Sequence, residues 1–414
     1  MFKRTCLTVL LLSAIFFAQA QVKLYPYHKG KIWGYCDEDK NIVTKPAYNI
    51  TYPHSDGMGL VIVYDSAKSK FLYGFVDDKG KEAIKPQYSS ATYFEKETSI
   101  IKNAANKFGV IDTKGRIVIP LEYKKIAFLS KSSTFKVTNS KNKIALFDLK
   151  GKKLFEFKYD DIDDASTNLH ALLATDGSGK QYCTWVDRLT GKEIAVKLAG
   201  SEEFSEGLAA AKEFGSNKVG YMNTKGEWVI QPRYWMGKPF VDGIALIANS
   251  QENTKWMYVN KKGDTLFNKS GYNSAESFHD GVAVIDYKSY LQEDGTYFQP
   301  QYDNVFEFRG GLAQVRRIQN GQTSDWGLID RTGKIIDQTP YSGGGFGYSE
   351  TGPVLKQKGW KWGLITRDGK TIIEPKYDRV SYRNGMLCST YQDRNYNEII
   401  IGFITEKGVE CWDE

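Results

Sequence analysis

The sequence predicts an all-β fold: a tandem array of about eleven three-stranded antiparallel meander units. Three observations carry this prediction. One short phrase returns every 37 residues or so, about the length of one supersecondary unit. Within each unit a glycine and a tyrosine recur at fixed offsets. The aromatic content of 14%, with 26 Tyr, favours strands, and no segment sustains a helical period.

The phrase is clearest as Trp362-Gly363-Leu364-Ile365, followed by Arg367-Asp368-Gly369 and Glu374-Pro375-Lys376-Tyr377. Anchored on the residue in the Gly363 place, the series is Gly34, Gly74, Gly109, Ala145, Thr184, Gly220, Met257, Lys288, Gly327, Gly363 and Gly402. A second glycine stands six residues on, at Gly80, Gly115, Gly151, Gly226, Gly263, Gly333, Gly369 and Gly408. It comes one residue late in units five and eight, at Gly191 and Gly295, and unit one carries Lys40 in its place. A tyrosine stands fourteen residues on, at Tyr48, Tyr88, Tyr123, Tyr159, Tyr234, Tyr302, Tyr341 and Tyr377. Unit seven has it one late, at Tyr272, and unit five lacks it.

Each part of a unit has a physical reading. The anchor strand, as in Phe75-Val76 or Leu364-Ile365, is apolar at neighbouring positions that point to opposite faces. Such a strand lies between two layers, and the layers available are the adjacent units. The anchor glycine leaves room for an aromatic ring, and the tyrosine of the next unit is the expected one. Asp77-Asp78-Lys79-Gly80 and Asp112-Thr113-Lys114-Gly115 read as tight turns. There the aspartate accepts from turn amides and the glycine takes the left-handed conformation. A second strand follows, and a proline (Pro46, Pro86, Pro120, Pro232, Pro375) is expected to close it. A third strand precedes the anchor and reads Phe204-Ser205-Glu206-Gly207-Leu208-Ala209, with counterparts at Phe240, Phe278 and Phe308. A fourth short strand is allowed around the tyrosine.

The N-terminus reads as a secretory signal peptide over residues 1–20. Lys3 and Arg4 precede an apolar run from Cys6 to Phe17, and Ala18-Gln19-Ala20 supplies the small residues a signal peptidase reads. The run is short of the ~20 residues that span a bilayer, so no transmembrane segment is expected in the mature chain. Net charge is +7, with lysines scattered among acids. That pattern speaks for solubility and against nucleic-acid binding, which clusters basic residues on one element. Cys36, Cys183, Cys388 and Cys411 follow the leader without metal-ligand spacing. Isolated buried thiols are the favoured reading; a ring-shaped array would bring Cys36 and Cys411 together. His28, His54, His170 and His279 fall in different units, outside any helical metal motif.

Trp33-Gly34, Trp326-Gly327 and Trp362-Gly363, with the turn, Pro-x-Tyr and Phe-x-x-Gly-Leu-Ala phrases, resemble the bacterial WG-repeat family. The resemblance covers residues 21–414, nearly the whole mature chain. Units four, five, seven and eight depart from it at the anchor, with Ala145, Thr184, Met257 and Lys288. The resemblance implies a β-repeat fold, an interaction role and no catalytic residues.

Residue by residue, the chemistry is sparse, and no catalytic residue, metal or cofactor is expected. Trp33, Trp326 and Trp362 are read as core in preference to sugar-stacking platforms. The turn aspartates are read as caps in preference to Ca²⁺ ligands. Asp160-Asp161-Ile162-Asp163-Asp164 is read as a solvated turn, and Gly343-Gly344-Gly345-Phe346-Gly347 as an irregular loop, since no helix follows to make a phosphate site. The variable segments 65–72, 102–107, 139–143, 175–182, 249–255, 316–325 and 392–398 fall at one place in every unit and are expected to crowd a binding rim. The layout expected is an open β-superhelix or propeller-like rings. One ordinary ring is least favoured, because eleven units exceed the ~4–8 blades of a propeller. The expected function is a non-enzymatic exported scaffold, periplasmic or at the cell surface, for an envelope or secreted protein or a glycan. The alternative is a carbohydrate-active enzyme or lectin-like binder using a carboxylate or aromatic site.

Overall fold

The computed structural model describes residues 23–157, 159–163, 169–175, 178–187, 192–216, 218–252, 254–319, 322–340, 345–347, 351–383, 386–392 and 398–413. The expected signal peptide, residues 1–20, and Asp164, Gly191, Tyr341, Gly343 and Gly344 lie outside them. Among the described residues every regular element is a β-strand, and nearly every strand pairing is antiparallel. No helix there is long and apolar enough to cross a membrane.

Unit two shows the plan. Ile50–Ser55, Met58–Asp65, Lys70–Asp77 and Glu82–Tyr88 form one sheet in chain order. The unit thus has four strands where three were expected, and the reason lies in the Phe-x-x-Gly phrase. That phrase is not one strand. Glu206 and Gly207 both have positive φ (52° and 84°), and Ser205 pairs with Leu208 across them. A two-residue hairpin with both central residues left-handed is a type I′ turn. Asp242-Gly243 and Asp280-Gly281 repeat it. The buried phenylalanine therefore ends a short first strand, and Leu208 opens the second. Units four, eight and eleven have three-stranded sheets, and units five and six merge into one of seven. The merger runs through Glu193–Ser201, in the unit that lacks the tyrosine.

The expected turns are present. Asp77 Oδ1 accepts from the amides of Lys79 (3.0 Å) and Lys81 (2.8 Å), and Gly80 has a φ of 75°. Asp112, Asp148 and Asp330 do the same, and Asn223 and Asn260 substitute for the acid. In unit one Lys40 takes the left-handed place itself, at a φ of 67°.

The anchor glycine does something different from what its spacing suggested. Tyr73 pairs with Tyr88 and Phe75 with Ile84, so Lys85, Pro86 and Gln87 bulge opposite Gly74 alone. A Cβ on Gly74 would lie 2.5 Å from Pro86 N and 2.6 Å from Ile84 O. Gly34, Gly220 and Gly363 face the same bulge. The close neighbour is thus backbone of the same unit, not a ring from the next. Gly327 and Gly402 are exceptions that meet Tyr302 and Trp412. Proline likewise does not end its strand. It sits inside Glu82–Tyr88, at a bulge where a missing N–H costs no ladder bond.

Anchor strands are sandwiched as predicted. Phe75 packs in a cluster with Phe94, Ile101 and Ile111 of unit three, and its neighbour Val76 with Tyr35 and Tyr48 of unit one. Tyr258 and Val259, and Leu364 and Ile365, divide their faces the same way. In unit eight the strand pairing puts Tyr290 opposite Val284 and Leu291 opposite Ala283, matching Tyr258 and Val259 in unit seven. The anchor there is Ser289, one residue beyond Lys288, which brings Gly295 into register.

The two ends of the array meet. Trp412–Asp413 pairs with Tyr25–Lys29 and takes the edge of the unit-one sheet that a first strand occupies elsewhere. This pairing is parallel. Tyr27 Oη donates to Asp413 Oδ2 at 2.5 Å, and Lys40 Nζ to Trp412 O at 2.8 Å. Tyr25, Tyr27 and Cys36 share a buried cluster with Met386, Cys388, Phe403 and Cys411. No sheet closes into a barrel, yet the eleven inter-unit clusters make one circuit from unit one back to unit one. Among the described residues these contacts trace a single circuit, which is the layout the unit number made least favoured.

Candidate functional site

The short first strands are held by a repeated contact between units. Tyr221, Tyr258 and Tyr290 follow or closely follow the anchor and are fully buried. Their hydroxyls donate to the carbonyls of Lys238 (2.8 Å), Glu276 (2.7 Å) and Phe306 (2.7 Å) in the next unit. Their rings meet Phe240, Phe278 and Phe308 at 4.8, 5.2 and 4.8 Å. A buried tyrosine needs a partner for its O–H, and this carbonyl supplies it. The contact fixes each first strand at two points, a polar one and an apolar one.

Side by side, the first strands of units seven to ten bound a groove of about 980 Å³. Its apolar surface comes from Met236, Trp256, Phe306, Trp326 and Phe346. Phe306 stacks on Trp326 at 5.7 Å and 29°, and the Arg316 guanidinium lies 5.7 Å from the Trp326 ring. That is cation–π range. Arg316 Nη2 donates to Asn304 Oδ1 at 3.0 Å. Arg316 Nε and Trp326 Nε1 are buried donors with no acceptor among the described residues. Such groups are few in folded proteins and raise the question of what satisfies them.

The polar surface comes from Lys238, Glu276, Ser277, His279, Glu307, Arg309 and Gln314. Arg309 Nε donates to Glu307 Oε1 at 2.6 Å, and His279 Nε2 lies 3.6 Å from Glu307. Burial pushes the Glu276 carboxyl above the usual carboxylate range, and the Glu307 charge adds to the shift. Aromatic faces beside carboxylates, an imidazole and an amide suit a ligand rich in hydroxyls or amides.

The residues singled out from sequence are scattered. Trp33 packs half-buried at the junction of units eleven and one, and Trp362 packs opposite Tyr377. Both are partly buried against core clusters, nearer the core reading than an exposed platform. Trp326 packs on the core and also lines the groove. Asp160 and Asp161 pair with Lys143 and Lys136, and Asp161–Asp163 is a short strand with Ile162 buried, not a turn. Gly345–Gly347 is likewise a strand, with Phe346 buried, so the described part of that segment is not an irregular loop. His28 hydrogen-bonds Ile401 O at 2.6 Å, and His54 hydrogen-bonds Asp77 O at 3.0 Å. Among the described residues no group of three His, Cys, Asp or Glu is placed to hold a metal.

Sequence reasoning missed Glu276, His279, Phe306, Glu307 and Arg309 as a set. The signal was their place: they flank the buried Phe278 and Phe308 of the Phe-x-x-Gly phrase. Reading that phrase as one strand hid it.

A family model described as "WG containing repeat" matches residues 33–65, 73–104, 108–132, 220–249, 256–287, 298–321 and 362–388. No curated protein sequence matches the chain. Among solved structures, a eukaryotic initiation factor aligns over 77% of this chain and 96% of its own, at 12% identity and a TM-score of 0.41. An uncharacterized protein from Listeria monocytogenes aligns over 70% and 94%, at 13% identity and a TM-score of 0.31. The acylaminoacyl peptidase of Pyrococcus horikoshii aligns over 86% and 53%, at 12% identity and a TM-score of 0.28.

Proposed function

The chain belongs to the WG containing repeat family, and we propose that it is an exported, non-enzymatic scaffold that holds a glycan across units seven to ten. The observation that carries this reading is the groove itself. Trp256, Phe306 and Trp326 offer ring faces, while Glu276, Glu307 and Gln314 sit beside them to bond hydroxyls. Sugars present apolar C–H faces and hydroxyl edges, and this surface answers both. Export is supported by Lys3, Arg4, the apolar run and Ala18-Gln19-Ala20. N-terminal sequencing of the mature protein beginning at Met1 would refute export.

The variable hairpins between second and third strands are a weaker candidate for the binding face. Their residues do not line this groove, although Trp256 and Trp326 immediately follow two of them. The groove also contains two carboxylates, Glu276 and Glu307, which is the one feature favouring a carbohydrate-active enzyme.

A glycan array probed with the purified protein tests the proposal. Retention of a carbohydrate class, reduced at least tenfold by Trp326→Ala or Trp256→Ala, is the expected result. Turnover of the bound oligosaccharide, abolished by Glu307→Gln, would replace the scaffold reading with the enzyme one. Binding of peptides alone, or no dependence on either tryptophan, would reject the glycan.

A further inference from the structure

We propose that Cys36 and Cys411 form a disulfide that fastens the last unit to the first. Every other junction in the circuit is crossed by the chain itself, at units one to four with only Asn49, Ser89 and Lys124 between one sheet edge and the next. The junction of units eleven and one has no such connection. Among the described residues its strand pairing is His28 with Trp412 and Lys29 with Asp413. Beyond that pairing and the buried apolar cluster, the junction is held by side-chain hydrogen bonds and by exposed ion pairs such as Lys407 with Glu38 (2.9 Å) and Asp39 (3.1 Å). Exposed pairs of this kind hold weakly.

Both cysteines are fully buried in the cluster that spans this junction. Both are free thiols in this structure, packed in the same cluster, and interaction with Cys36, followed by burial, holds the Cys411 thiol well above the ordinary thiol range. Cys183 belongs to a different cluster, at the junction of units five and six. Cys388 shares the cluster, but its Sγ bonds to Ser381. A buried dithiol in this state reacts slowly, so closure belongs to the moment when the last unit docks. One thiolate attacks a sulfur of an oxidising disulfide, supplied by an exported thiol oxidoreductase or oxidised glutathione. The second thiolate then displaces that partner. The two cysteines lose two protons and two electrons, one S–S bond forms, and the oxidant's S–S bond is reduced to two thiols. A cross-link closing nearly the whole chain constrains the unfolded state strongly.

The test is a redox titration of the purified full chain. The protein is cycled through unfolding and refolding in glutathione mixtures of graded poise. It is then quenched by alkylation, digested without reduction and mapped by mass. The expected product in oxidising mixtures is one cross-linked peptide pair joining Cys36 to Cys411, lighter by two hydrogens than the free thiols. Cys183 and Cys388 are alkylated. The oxidised form should melt several degrees above the reduced form. Cys36→Ser should abolish that difference, and Cys183→Ser should keep it. Alkylation of both Cys36 and Cys411 at every poise, or a cross-link through Cys388, would overturn the proposal. Glycan binding through the groove does not depend on this bond, so the two readings fail separately.

Discussion

The Tyr258 hydroxyl donates to the Glu276 carbonyl across 2.7 Å while its ring meets Phe278 edge-on at 5.2 Å. One side chain of unit seven thereby grips the backbone and the core of unit eight. An aromatic pair of this kind adds about 0.5–1.5 kcal/mol beyond its area burial. Tyr258→Phe should therefore cost about 1–2 kcal/mol, because the carbonyl loses its donor. Phe278→Ala should cost about 3–5 kcal/mol through cavity formation. Urea unfolding followed by tryptophan fluorescence measures both. Equal, small costs for the two variants would mean that this contact does not hold the units together.

The bulge opposite the anchor glycine makes a second prediction. A Cβ at residue 363 would sit 2.3 Å from Ile373 O and 2.6 Å from Pro375 N, and both are backbone that cannot swing away. Gly363→Ala should destabilise by about 1–3 kcal/mol. Gly200 has nothing within 4 Å of the same atom, so Gly200→Ala should be neutral or slightly stabilising. Thermal midpoints of the two variants compare them directly. Matching midpoints would show that the glycine is dispensable.

Two buried groups set the pH dependence. Burial holds the His54 pKa below its ordinary 6.5, against the pull of the Asp77 carbonyl. The unfolded chain binds that proton more readily. The stability it contributes is present above pH 6.5 and is lost as the pH falls through the lower folded value. The Tyr27 phenol moves the other way. Its hydrogen bond to Asp413, then burial, raises it from 10.0 to about 12. Its contribution is complete below pH 10 and is lost as the pH rises towards 12. Melting temperature against pH should show both limbs. His54→Gln should flatten the acid one and Tyr27→Phe should soften the alkaline one. Limbs unchanged in both variants would contradict these assignments.

Much of this fold was legible in the residues. The Asp77-to-Gly80 turn and the two-faced burial of Phe75 and Val76 follow from local chemistry and from a period of two. What was not legible depended on pairing across strands. Gly207 was read as part of a strand although Asp242-Gly243 and Asp280-Gly281, at the same place in their units, carry the Asp-Gly pair that favours a type I′ hairpin, and the pairing of Ser205 with Leu208 shows the turn. Pro86 was read as a terminator because the three-residue bulge opposite Gly74 leaves no mark in spacing. The groove was hidden for a related reason. Glu276 and Glu307 belong to different units, and only the stacking of the first strands sets them along one wall.

The central claim is that consecutive units shelter one another around a circuit that returns to its start. Zero-length carbodiimide cross-linking of the monomer, mapped by mass, tests it most directly. Lys407 lies 2.9 Å from Glu38 and 3.1 Å from Asp39, at opposite ends of the chain. A closed circuit predicts that cross-link within one molecule, alongside the neighbour-unit link between Lys261 and Glu206. Recovery of the Lys261–Glu206 link without any link from Lys407 to unit one would show that the ends do not meet.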